Sequence, residues 1–364
     1  MISPKLLIKE LIKNKIKFIS GVPDSVLKNL TNLIEKKKFL HIKAVNEGGA
    51  ISACIGNFLA TKNIGCAYLQ NSGLSNAINP LISIADKNIY SIPILLIIGW
   101  RGAPGTKDEV QHKLKGEITK KILSLLKIKY LVISSNKDLQ KISKLLKYSA
   151  SKNKPVAVLI KNKTIEQEIS NKKNKKKNNL SRIFFIKKLL KSIKKQTKIV
   201  STTGYTSREL FYLRENYTKL KGKDFYMVGG MGHSSMVSLG ISINNQDVIC
   251  LDGDGSMLMH MGSLRSIGFY NPKKFKHILL NNFCHESVGG QETMSKGIDF
   301  KKVIDAFGYK NYFSIKNKES TNLILKKFLN CKGPSLLEVF IDSGSIKDLI
   351  RPKDFVKIKN RFMK

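Results

Sequence analysis

The stretch "LDGDGSMLMHMGSLRSIGFYNPKKFKHILLNN", residues Leu251 to Asn282, decides how this chain reads. It begins with an aspartate between two glycines and ends with paired asparagines behind a second apolar run. "DVICLD" before the glycines and "FKHILLNN" at the far end each read as a short buried strand, and "SMLMHMGSLRSIGFY" between them has helical spacing. A strand–helix–strand unit returns both strand ends to one edge of a parallel sheet, where open α/β folds collect their ligands. Asp254 and Asn282 then become neighbours. Two hard oxygen donors beside glycine amides at a helix start suit a magnesium ion carrying a diphosphate. A dinucleotide site does not fit: Leu258 occupies the third glycine position of G-x-G-x-x-G, and no acidic residue follows at the required distance. The remaining alternative is a capping aspartate with a turn at the asparagines.

Working outward, 364 residues suffice for two ordinary domains. The longest apolar run, "IPILLIIGW", is far short of the roughly 20 residues a membrane helix needs. Lysines interrupt the N-terminal "MISPKLLIKELIKNKIKFIS", which predicts an amphipathic surface helix rather than a signal peptide. The cysteines show no C-x-x-C pair, and "HESVGG" lacks the second histidine of a zinc helix, so the expectation is a cytoplasmic protein with free thiols and no structural zinc.

A net charge of +39 invites a nucleic-acid reading, but the distribution opposes it. Of 65 basic residues only seven are arginine, and the lysines are dispersed among asparagines and isoleucines. That is a compositional bias laid over an otherwise ordinary enzyme; neither nucleic acid nor membrane is expected as a partner. Where lysine is the default cation, a retained arginine marks a place that needs a planar, two-pronged guanidinium. Arg101 and Arg208 both lie in glycine- or threonine-rich turns.

The densest charge run, Ser170 to Ser181, has no apolar periodicity and reads as a solvated linker. Before it, strands are expected at "FISGVPD", "IKAVNE", "CAYLQNS", "IPILLIIGW", "YLVIS" and "PVAVLI"; after it, at "KIVSTTG", "FYMVGG", "VICLDGDG", "KHILLNN" and "SLLEVFI". The expected architecture is α/β: two similar parallel-sheet domains, residues 1–168 and 182–364, joined by a lysine-rich linker at 169–181.

With these motifs laid out, the chain resembles the thiamine diphosphate-dependent decarboxylases. GDG followed by NN in the second half, and the glutamate of "VNEGGA" in the first, match that superfamily's signature. "GVPDS", "LQNSGLSNAINPL", "SIPILLIIGWRG", "PGTKDEVQH", "STTGYTSREL", "MGHSSM" and "LLNNFCHESVGGQET" are similar to the phosphonopyruvate decarboxylase family in particular, in the expected order. One departure is Val110, where that family's pattern has proline.

The resemblance implies a pyrimidine-binding domain followed by a diphosphate-binding domain, with no central domain. It implies thiamine diphosphate and Mg2+ as cofactors, with Asp254 and Asn282 side chains and the Cys284 carbonyl on the metal. Thr202, Thr203, Gly204, Gly230, Gly253, Gly255 and Ser256 would cradle the cofactor, the Ser256 hydroxyl included, and Met231 would wedge it into a bent shape. Asn281 would be structural. Glu47 would share a proton with the aminopyrimidine, and Asp24 and His112 would move protons after CO2 leaves. Arg101, Lys107 and Ser25 would bind a small 2-oxo acid carrying a distal anion, with Arg208 a further cation to consider. A homodimer or higher homo-oligomer is implied as well.

Overall fold

The computed structural model describes residues 1–37, 39–167, 180–217, 222–346 and 348–364. The chain divides into two compact units, Met1–Lys172 and Lys173–Lys364. Each is a six-stranded, wholly parallel sheet with helical connections. The expected linker lies outside the described residues except for Leu180 and Ser181, and these two are integrated into the second unit. Leu180 is buried and its carbonyl accepts the Asp342 N–H at 2.9 Å, while Ser181 caps the helix Arg182–Ser192.

The first unit contains β1 (Phe18–Gly21), β2 (Leu40–Lys43), β3 (Gly65–Gln70), β4 (Ile94–Trp100), β5 (Lys129–Ile133) and β6 (Val156–Lys161), in the order β2-β1-β3-β4-β6-β5. The central β4, "ILLIIGW", is buried at every position, as a strand covered by helices on both faces must be. In the second unit, β7 (Lys198–Ser201), β8 (Lys223–Tyr226), β9 (Val248–Gly253), β10 (Phe275–Asn281), β11 (Asn311–Ile315) and β12 (Ser335–Phe340) run β8-β7-β9-β10-β12-β11. The permutation is the same in both. In each unit the strand order reverses beside the first strand, between β1 and β3 and between β7 and β9. Such a switch point opens a crevice at the carboxyl ends of the two strands.

Two sequence expectations needed correction. β11, "NYFSI", was not foreseen: it is an edge strand with mostly half-buried residues, so it carries neither a continuous apolar run nor clean alternation. The single helix expected between β9 and β10 is two, Asp254–Met259 and Ser263–Tyr270, with His260, Met261 and Gly262 turning between them. The N-terminal helix Pro4–Lys13 is amphipathic as expected, burying Leu7, Ile8 and Leu11 against the first unit's core. No helix among the described residues is long and apolar enough to cross a membrane.

Candidate active site

In the first unit, polar side chains gather at the ends of β1, β3 and β4. Glu47 opens the helix Glu47–Thr61, which Asn46 caps by accepting the Gly49 N–H at 2.8 Å. Although it sits at a helix start, Glu47 is only 5% exposed, and its Oε2 accepts from Asn76 Nδ2 at 2.8 Å. Its carboxyl fits because residue 73 is glycine: a Cβ there would lie 1.9 Å from Glu47 Oε1. Asp24 is accommodated the same way, since a Cβ on Gly99 would lie 1.9 Å from its Oδ2. Two glycines, one near the end of β4 and one in the short turn after β3, thus make room for two buried carboxyl groups.

Asp24 Oδ2 accepts the Val26 and Leu27 N–H groups at 3.0 and 3.1 Å, while Oδ1 has no donor. Burial outweighs these bonds and the nearby Arg101 charge, pushing the carboxyl up to about 6. Asp24 is therefore partly protonated near neutral pH.

Arg101 follows β4, and its two-pronged face is already occupied. Nε donates to Asp108 Oδ2 at 2.7 Å, Nη2 pairs with Asp108 Oδ1, and Nη1 donates to Ser25 Oγ at 3.0 Å. Burial raises the Asp108 pKa, but the Arg101 bond and the Glu109 and Gly102 N–H groups outweigh it and hold the carboxyl well below its ordinary range. Asn71 completes the frame, giving Nδ2 to the Arg101 carbonyl and taking the Arg101 N–H. His112 is buried in the first turn of the helix Val110–Leu125, and its carbonyl lies where a Cβ on Gly102 would fall. Lys107 is exposed on the same loop. Asn76, Asn71, Asp108 and half-buried Lys115, whose charge interacts with Glu47, were missed in the sequence. Only Asp108 had a signal there, being a carboxylate in the same glycine-bounded loop as Arg101.

In the second unit, an open cleft lies at the switch point between β7 and β9. Thr202, Thr203, Gly204, Met231, Gly253, Asp254, Gly255, Ser256, Asn282 and Cys284 all line it, so the residues singled out in sequence converge on one place, with Gly230 adjoining. Pairing fixes the levels: Ser201 lies opposite Leu251, and the Thr202 N–H reaches the Leu251 carbonyl at 2.8 Å, setting the two turns side by side.

Asp254 is 3% exposed and accepts both Thr293 Oγ1 and Ser295 Oγ on Oδ2, the latter at 2.8 Å. Burial, only partly offset by these hydroxyls, raises its pKa above the ordinary aspartate value. A buried carboxylate in this state gains from a cation. Asn282 Oδ1 accepts the Cys284 N–H at 3.1 Å. Asn281 is structural, donating to Glu338 Oε1 at 2.7 Å and accepting the Phe283 N–H at 3.2 Å.

The Ser256 hydroxyl is also bonded within the protein. Its oxygen accepts from Thr202 Oγ1 at 2.8 Å and from the Gly232 N–H at 3.0 Å, and the hydroxyl also neighbours buried Asp252. Asp252 itself is backed by His277, whose Nδ1 meets the Tyr309 hydroxyl at 3.2 Å. Cys250, Asp252 and His277 lie close together and are buried, and burial raises the Cys250 thiol well above its ordinary pKa.

Arg182, Glu286, Tyr205 and His285 also line the cleft and were missed. The scarcity of arginine was the available signal for Arg182. Arg208 instead lies over the Tyr205 ring, 4.9 Å from its centre.

Residues 4–123 match the family model "Thiamine pyrophosphate enzyme, N-terminal TPP binding domain", and residues 203–339 match its C-terminal TPP binding domain. The chain belongs to the thiamine diphosphate-dependent enzymes. Among its relatives, a phosphonopyruvate decarboxylase of Streptomyces viridochromogenes is 33% identical over 92% of this chain and 87% of its own length. A second, from Streptomyces hygroscopicus, is 32% identical over 92% and 86%. A sulfopyruvate decarboxylase of Methanosarcina acetivorans is 26% identical over 95% and 93%. These relatives are consistent with a carboxy-lyase acting on a 2-oxo acid.

The cleft fits the family's cofactor and its usual magnesium. The Asp254 carboxylate, the Asn282 carboxamide oxygen and the backbone carbonyl of the Cys284 turn are hard oxygen donors, and glycine N–H groups border them. Asp254, Asn282 and Cys284 would hold the ion, and the Thr203, Gly204 and Gly255 turns the diphosphate.

Proposed function

We propose that this enzyme decarboxylates 3-phosphonopyruvate to phosphonoacetaldehyde and CO2, using thiamine diphosphate and Mg2+, as a step of phosphonate biosynthesis. The observation that carries the proposal is the match to phosphonopyruvate decarboxylases, which are single chains aligned over nearly their whole length.

Bound thiamine diphosphate supplies the electron sink for carbon–carbon cleavage. The chain's own residues do the rest. Glu47, held in one orientation by Asn76, shares a proton with the aminopyrimidine. Asp24, with its pKa near 6, holds a proton that it can deliver near neutral pH, and buried His112 is a second proton carrier. Arg101 anchors Ser25 and orders the loop bearing exposed Lys107; Lys107 and Ser25 receive the substrate and its distal anion, with Arg101 adding at most a single-pronged contact. The proposed active form is a cytoplasmic homodimer or larger homo-oligomer, with no nucleic-acid or membrane partner.

Sulfopyruvate is the second reading, and one observation favours it: the Methanosarcina relative also carries both domains in one chain. Aldehyde release from phosphonopyruvate, sulfopyruvate and pyruvate, measured side by side at saturating cofactor, tests the proposal. A clear preference for phosphonopyruvate is expected; a preference for sulfopyruvate overturns the substrate, and no release from any of the three overturns the reaction.

A further inference from the structure

We propose that Glu286, clamped by Arg182, is a positioning residue that fixes which end of the Asn282 carboxamide faces the metal. The inference rests on the magnesium role given to Asn282 above.

A carboxamide is useful to a cation only through its oxygen; turned over, it presents an NH2 group that repels the ion. In this cleft both ends of Asn282 are specified. Its oxygen lies toward the Cys284 N–H at 3.1 Å, and its Nδ2 donates to Glu286 Oε2 at 3.2 Å. An ionised carboxylate can only accept, so it selects the NH2 end and rejects the oxygen. Glu286 thus determines the amide orientation from outside the ligand set, as outer-shell partners of metal ligands do elsewhere.

Glu286 is itself held at both oxygens. Oε1 accepts the Gly344 N–H, and Oε2 pairs with Arg182 Nη2. Arg182 is nearly fully buried and reaches a second carboxylate, Glu209 Oε1, with Nη1 at 3.5 Å. A bare carboxylate on the wall of a diphosphate cleft would repel the ligand. The Arg182 guanidinium offsets that charge, and its planar fork can serve two carboxylates, which a lysine ammonium would do with less directional control. Four separate segments converge here: the starts of the helices Arg182–Ser192 and Tyr205–Asn216, the turn after Cys284, and the segment after β12. Contacts drawn from so many places pin the carboxylate more firmly than a local turn would.

The test is magnesium-dependent binding of thiamine diphosphate to the metal-free full-length protein, followed by calorimetry. Glu286→Ala is expected to raise the magnesium concentration for half-maximal binding by about ten- to a hundredfold. At saturating metal, kcat should be largely retained. Glu286→Gln, which keeps one acceptor oxygen and the side-chain volume, should give a smaller shift and guards against misfolding of the alanine variant. Glu209→Gln loosens Arg182 without touching Asn282, and should leave the magnesium requirement within about threefold of wild type. Unchanged magnesium dependence in both Glu286 variants, or an equal shift in Glu209→Gln, overturns the positioning role. If wild-type protein itself binds no thiamine diphosphate with magnesium, the functional reading fails instead, and that result is distinct from either.

Discussion

Arg101 and Asp108 are joined at two points, Nε to Oδ2 at 2.7 Å and Nη2 to Oδ1, so the guanidinium that sequence reasoning offered to a substrate is already gripped by its own loop. Only Nη1, shared with Ser25, points elsewhere. Arg101 therefore acts first by ordering residues 101–109, and any contact with substrate is single-pronged. Arg101→Lys should cost about 1.5 to 3 kcal/mol of transition-state stabilisation, roughly ten- to a hundredfold in kcat/KM. The loss should be similar for phosphonopyruvate and pyruvate. A loss confined to phosphonopyruvate would show that Arg101 binds the distal anion directly.

Asp254→Ala should abolish magnesium-dependent cofactor binding while the second unit stays folded. Its carboxylate is the one charged donor among the three proposed metal ligands, and its removal relieves a buried charge. Calorimetry with thiamine diphosphate, with and without magnesium, reads this directly; unaltered affinity would remove Asp254 from the metal.

Glu47→Gln should still bind cofactor but exchange the thiazolium proton far more slowly. The amide preserves the shape against Gly73 and can keep its oxygen toward Asn76, but it has no carboxyl proton to share. Exchange with deuterium, followed by NMR, measures the rate. Wild-type exchange in the variant would leave Glu47 a purely structural role.

Asp24 makes the protein's stability depend on pH. Its folded pKa, about 6, exceeds the ordinary 3.8, so the native state holds this proton more tightly than the unfolded chain. The protonated form's advantage is present at low pH and is lost as pH rises from about 4 through 6, after which the cost of the buried carboxylate is constant. A shift of this size corresponds to at most about 3 kcal/mol. Asp24→Asn should therefore be more stable than wild type at pH 7.5, with the gap closing toward pH 4.5, in urea unfolding curves. A difference that does not vary with pH would show that Asp24 is not the titrating group.

Much of this could be read before any coordinates. The glycine-flanked Asp254, the paired asparagines and the apolar strands are local patterns, legible because a buried parallel strand needs an unbroken apolar run and a strand-to-helix turn needs small residues. β11 was not legible, because half-burial at a sheet edge leaves no periodic trace.

What the sequence determined by itself was the set of chemical groups and the strand ends on which they sit. Only the tertiary structure decided how each group is used. Asp108 claims the fork of Arg101, Thr202 and Gly232 reach the Ser256 oxygen from other strand ends, and Arg182, 104 residues away in sequence, grips the Glu286 carboxylate to which Asn282 donates. The physical reason is that a hydrogen-bond donor serves one partner well and a charge in a low-dielectric site acts on whatever lies nearest. Proximity across strands and helices is a property of packing, which local sequence patterns do not record.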